Sequence, residues 1–187
     1  MHGLTTRTRS APGRPRTVPL TAAVVALLGT AGCLGSSSYA APGDICGVTV
    51  SADVLRPLLP TGEKLGADAA DLGKGSLVCK IHVDDALALY LRTDLAPPDT
   101  DPVQVRRREL DRYGHPAAIS VGDQGRVADS GALATALCRR QGTDRKVIVE
   151  AHVPGDLPED VPQRREDLTR FIGAYLPAVQ KSLGCAG

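Results

Sequence analysis

The chain of 187 residues contains no Trp, one Phe and four Tyr. So few rings leave few platforms on which bases or sugars could stack. They also leave a core to be built from Leu, Val and Ala, which bury less area per residue than aromatics. No charge of one sign dominates, with 22 basic against 21 acidic residues, and this gives no reason to expect nucleic acid. No C-x-x-C spacing occurs among the five cysteines, which argues against zinc-ribbon and thioredoxin-like sites. G-x-S-x-G, H-E-x-x-H, P-loop and paired Gly-rich signatures are all missing. Asn is absent altogether and Arg far outnumbers Lys, a bias that suggests a GC-rich genome.

What is present begins with a leader. Arg7, Arg9, Arg14 and Arg16 precede VPLTAAVVALLGTAG (18–32), a stretch of apolar and small residues. That is the pattern of a secretory signal peptide over 1–32. The run is shorter than the roughly 20 residues a membrane-spanning helix needs. Thr30-Ala31-Gly32-Cys33 resembles the bacterial lipobox, with Thr where Leu is more usual. The resemblance implies cleavage before Cys33 and acyl chains on that residue. Each buried methylene adds about 0.8 kcal/mol, so two or three chains anchor stably where one does not. Residues 33–45 then read as the lipidated cysteine and a flexible tether. The leader takes four arginines and no acid with it, which leaves the mature chain near −3.

Cys46, Cys79, Cys138 and Cys185 remain, an even set that reads as two disulfides bracing a single domain over 46–187. Ser51 caps a short helix before Pro57 and Pro60, and 63–75 reads as a loop. LVCKIHV (77–83) and LALYLR (87–92) alternate as strands. A two-residue turn at Asp84-Asp85 would mix their apolar faces, so a loop closing Val83 against Leu87 is expected. Asp101 and Pro102 open a helix that runs to Tyr113, with Val103, Leu110 and Tyr113 near one face and Arg106–Arg108 on the solvated side. Residues 117–124 form a loop. GRVAD, ALATALCRR and RKVIVEAHV are strands, with Asp129-Ser130-Gly131 as a turn and Cys138 opposite Val147. Asp160 caps the strongest helix, in which Leu168, Phe171, Ile172, Tyr175, Leu176, Val179 and Leu183 recur at three and four. Pro177 should kink or split it. The expected fold is α+β in the order α-β-β-α-β-β-β-α. It has an antiparallel sheet of four to five strands and helices on one face. Bridges 46–79 with 138–185, each closing a loop in its own half, are preferred to 46–138 with 79–185. Each contributes roughly 4 kcal/mol through loop entropy.

CGVTVSADVLRPLLPTGEKL, CKIHVDDALALYL, VGDQGRVADSGALATALC and FIGAYLPAVQKSLGC together resemble small, cysteine-paired actinobacterial envelope lipoproteins of unknown function, over most of 46–185. That family implies no activity and no catalytic residues. The one constellation with chemical promise is His82 and Asp84 with Glu150 and His152, four groups on the polar side of strands that could converge on a divalent metal. His115 reads as a loop residue, and Arg164-Arg165 as a solvated face. No cofactor is expected. The chain reads as a non-catalytic envelope module, held to the membrane through Cys33, that binds an envelope protein, a cell-wall element or a small ligand. An envelope hydrolase using the polar sheet face, or a carrier of a lipid or small apolar ligand, is the alternative.

Overall fold

A computed structural model describes residues 38–185; the expected leader and Cys33 lie outside them. A two-residue hairpin, β1 (Asp44–Ile45) and β2 (Val48–Thr49), leads to α1 (Ala52–Leu55) and a 3-10 turn at Arg56–Leu58. Then come β3 (Leu65–Gly73), β4 (Ser76–Val83) and β5 (Ala86–Ala96). Two short helices follow, α2 (Pro102–Val105) and α3 (Arg107–Arg112). The chain closes with β6 (Ala117–Ile119), β7 (Gln124–Val127), β8 (Gly131–Arg140), β9 (Thr143–His152) and α4 (Val161–Ser182). Strands β3 to β9 make one antiparallel sheet of seven, ordered β3-β4-β5-β9-β8-β7-β6.

The α+β class and both disulfides, Cys46–Cys79 and Cys138–Cys185, agree with the sequence reading. The strand count does not. The stretch read as a loop at 63–75 holds β3, and that at 117–124 holds β6. From Ala67 to Gly73, β3 is exposed on both faces and is rich in Ala, Asp and Gly. It pairs through its main chain along one edge, so its side chains carry no alternation to read.

Four hairpins use two-residue turns in which both residues have positive φ: Cys46-Gly47, Lys74-Gly75, Asp84-Asp85 and Gln141-Gly142. These left-handed pairs match the twist of the flanking strands. The expected wider loop between β4 and β5 is therefore wrong. Val83 pairs with Ala86 and His82 with Leu87, and then the register shifts so that Ile81 meets Leu89. A bulge at Ala88 restores the apolar set that the tight turn would otherwise misplace. At the β8–β9 turn the register is also two residues off the expectation: Cys138 faces Arg145, and Ala136 faces Val147.

One sheet face takes α4. Leu168, Phe171, Ile172, Tyr175, Leu176 and Val179 are buried against Ala132, Ala134, Ala136, Val147, Val149 and Ala151. These short side chains let the helix lie close to the strands. Pro177 does not split it. Gly184, at φ 69°, turns the chain after the helix so that the Cys185 N–H reaches the Gln180 carbonyl (2.9 Å) and Cys185 meets Cys138. The expectation of helices on one face alone also fails. On the other face, Leu110 of α3 forms a second small core with Leu133 and Ile148, and Val103 packs beside it.

The N-terminal approach is held to the fold. The Ser38 N–H donates to the Gly62 carbonyl (2.9 Å), and its hydroxyl donates to the Glu63 carbonyl (3.1 Å). The Tyr39 hydroxyl donates to the Pro60 carbonyl, and Ala41 packs on the core. Much of the span read as a tether, from 38 to 45, is thus docked.

Candidate functional site

The second face of the sheet carries the chemistry. Strand pairing sets Tyr90 beside His152, Arg92 beside Glu150 and Asp94 beside Ile148. Over these residues comes the segment α2–α3, which is broken at Arg106 (φ −99°, ψ 14°). The break turns Arg106 toward the sheet. Its Nη2 donates to Asp94 Oδ2 (2.5 Å), while its Nε lies 3.6 Å from Glu150 Oε2, too far for a hydrogen bond, and is buried without another partner among the described residues. Arg92 grips the same Asp94 through Nε (2.8 Å) and Nη2 (3.1 Å), and Ser76 Oγ donates to it at 2.5 Å. Burial opposes ionisation of Asp94, but the hydrogen bonds from Arg92, Ser76 and Arg106 outweigh it and hold the carboxyl below its ordinary range.

Tyr113 caps the end of α3. Its carbonyl accepts from the Ser130 N–H (2.9 Å), and the Gly114 carbonyl accepts from the Asp129 N–H (2.8 Å), so the backbone here is zipped to the β7–β8 turn. The ring then lies over Gly131 and stacks on His152, with centroids 4.3 Å apart. Its hydroxyl donates to Glu150 Oε1 at 2.5 Å. Burial, and then the Glu150 carboxylate, hold that hydroxyl protonated well above the ordinary phenol range. His152 Nδ1 meets the Ser130 carbonyl at 2.9 Å. A carbonyl only accepts, so Nδ1 carries the hydrogen and Nε2 is the acceptor of the neutral ring.

Beside these contacts lies a cleft of about 500 Å³, with Asp94 and Ser76 behind its wall rather than in it. Two of the chain's four tyrosines, Tyr90 and Tyr113, meet there with His152, Arg92, Arg106 and Glu150. Leu87, Pro154 and the Glu109–Arg112 pair complete the wall. Cations and anions are nearly balanced, and the wall offers donors and acceptors beside aromatic faces.

Of the four metal candidates, the structure brings Glu150 and His152 into this cleft and places His82 and Asp84 elsewhere. His82 Nδ1 lies 3.3 Å from Asp68 Oδ2 in a separate depression on the β3–β4 side. Asp84 accepts the N–H groups of Glu63 (3.0 Å) and Lys64 (2.8 Å). Among the described residues, no group of three His, Cys, Asp or Glu side chains is placed to hold a metal ion. His115 pairs with Asp129 at 2.6 Å, and this contact, opposed by burial and reinforced by Arg165, holds the Asp129 carboxyl below its ordinary range. The arginines read as solvated have structural partners instead. Arg164 is 5 % exposed, with Nε donating to the Asp129 carbonyl and Nη1 to the Pro158 carbonyl. Arg165 bridges Asp129 and the carbonyl of His115. Sequence reasoning missed Arg106 and Tyr113 as site residues. The grouping of Val103, Leu110 and Tyr113 on one helix face was the available signal.

Fold and site thus define a disulfide-braced α+β domain with a polar cleft between a helical flap and a sheet. Its two disulfides are the mark of an oxidising, extracytoplasmic compartment. No helix among the described residues is long and apolar enough to cross a membrane. Compared with family models, curated proteins and solved structures, the chain matches none.

Proposed function

We propose that this chain is an extracytoplasmic lipoprotein, anchored by acyl chains on Cys33, whose domain is a non-catalytic module that binds a small hydroxyl-rich ligand in the α2–α3 cleft. The carrying observation is the cleft itself: about 500 Å³, within the range of small-molecule sites, with both charge signs beside two tyrosines and a histidine. Balanced charge favours a ligand that both donates and accepts hydrogen bonds over a bare anion or cation. Its acid–base groups are already engaged, Glu150 with Tyr113 and His152 Nδ1 with a backbone carbonyl. Among the described residues no Ser, Thr or Cys lines the cleft, which weighs against a hydrolase there. The apolar space between sheet and α4, beside Val48, Leu77, Val179 and Leu183, is about 180 Å³, small for a lipid carrier. For the anchor, four of the five cysteines pair with one another, so Cys33 has no partner left in the chain.

NMR titration with sugars and polyols tests the binding reading. Saturable shifts at His152 and Tyr113 are expected, and Tyr90→Ala should weaken them. Their absence up to about 10 mM, a level at which binding contributes less than about 3 kcal/mol, would refute it. The intact mass of protein extracted from membranes tests the anchor, and an unmodified Cys33 sinks that part.

A further inference from the structure

We propose that the anchor holds the cleft end of the sheet against the bilayer, so that the cleft's partner is the hydroxyl-rich headgroup of a membrane lipid. The inference rests on acylation of Cys33, and its argument is one of length. Ser38 is bonded to Gly62 and Glu63, and four residues, 34–37, separate it from Cys33, so the five Cα-to-Cα steps from 33 to 38 reach at most about 18 Å when fully extended. Gly62 to Lys64 adjoin the β4–β5 turn, because Asp84 binds the N–H groups of Glu63 and Lys64 and donates its own N–H to the Lys64 carbonyl. That turn lies at the end of the sheet where β5 begins and β9 stops, the end marked by Leu87, His152 and Pro154 of the cleft. Strand β5 is two strand spacings from β3, about 10 Å.

The opposite end carries the Lys74-Gly75 and Gln141-Gly142 turns. It is a strand length away, about 30 Å for the ten residues of β8. Standing the domain on that end would raise Ser38 about 30 Å above the membrane, beyond the reach of those five steps. Twelve free residues would have allowed either end down. The exposed large apolar side chains do not choose between the ends, since Leu87 and Leu157 lie toward the cleft end and Leu72 and Leu137 toward the other. The charges beside the attachment point, Glu63, Asp84 and Asp85 against Lys64, are mostly acidic. Attraction to anionic lipid therefore does not set this orientation; the short tether does.

The test attaches residues 33–187, with both disulfides intact, to nanodiscs carrying a gadolinium-chelate lipid. It uses either the native acyl chains or a maleimide lipid coupled to the Cys33 thiol. Amide signals of 62–64 and 84–87 should be lost, while those of 73–76 and 140–143 persist. Inserting about ten Gly/Ser residues between Ser36 and Ser37 should abolish the contrast. Uniform loss, or loss at 73–76 and 140–143, overturns the orientation. The maleimide arm works even if Cys33 proves unmodified in cells, so failure of the anchor and failure of the geometry are told apart. A second arm compares nanodiscs of zwitterionic phospholipid with and without a glycosyl diacylglycerol. Shifts of His152 and Tyr113 with the glycolipid, but not with the free sugar at equal concentration, support a headgroup. Equal shifts with the free sugar, or none with either, overturn it.

Discussion

Gly131→Ala is the sharpest probe of the cleft. A β-carbon at that position would sit 2.4 Å from Tyr113 Cδ2, 2.9 Å from Cγ and 3.0 Å from Cε2. Ordinary carbon contacts are about 3.5–4.0 Å, so the ring must retreat by roughly 1 Å. Retreat carries the hydroxyl away from Glu150, now 2.5 Å distant, and opens the stack on His152. Overpacking costs about 1–3 kcal/mol, and loss of a hydrogen bond to a charged group about 1.5–3 kcal/mol. Against these, Ala restricts the unfolded chain and recovers about 0.4–1 kcal/mol, since Gly131 is an ordinary strand residue without positive φ. The net is a destabilisation of about 2–4 kcal/mol, read from urea unfolding at constant m-value. In a domain of this size that lowers Tm by roughly 10 °C. The control is a cycle with Tyr113→Ala. Once the ring is gone the methyl has room, and the penalty should vanish. A Gly131→Ala variant as stable as the parent, or an equal penalty in the Tyr113→Ala background, would refute the packing argument.

Removing Cys138–Cys185 or Cys46–Cys79 as Ala pairs, with sequence separations of 47 and 33, should each cost about 4 kcal/mol in urea. A loss below about 1 kcal/mol for either would mean that its loop is already constrained in the unfolded chain. Among the four hairpin turns only Asp84-Asp85 lacks Gly at the second position, so Asp85→Gly should raise stability by up to about 1 kcal/mol, and a lower urea midpoint counts against the turn assignment. Tyr113 holds its proton more tightly folded than unfolded. Its contribution is therefore complete below the unfolded value near 10 and declines as pH rises from there toward the folded value. The parent should thus lose stability with rising pH more steeply than Tyr113→Phe above about pH 10, and parallel curves would contradict this.

The sequence disclosed what local pattern controls. Helix α4 was legible because seven apolar residues recur at its period, and the disulfides because an even set of cysteines brackets two halves of the chain. Strand β3 was hidden because most of its side chains are exposed on both faces and so carry no alternation. Strict alternation excluded the Asp84-Asp85 turn because a bulge at Ala88, which has no sequence signature, repairs the faces. The site was the least legible part. Arg106 sits in a run of three arginines, and only the fold sets Asp94 and Glu150 before it. Gly131 read as a turn residue, whereas its role is to leave room for Tyr113, a requirement set by a ring 18 positions earlier.

The bridges are sequential, first cysteine to second and third to fourth within the domain, rather than interlaced. A chain oxidised as it emerges, amino end leading, therefore finds each correct mate before a wrong one arrives. The exception is Cys33, which would precede Cys46 and compete for it as a bare thiol. The proposed acylation of that sulfur would remove this competitor and make ordered emergence sufficient for correct crosslinking.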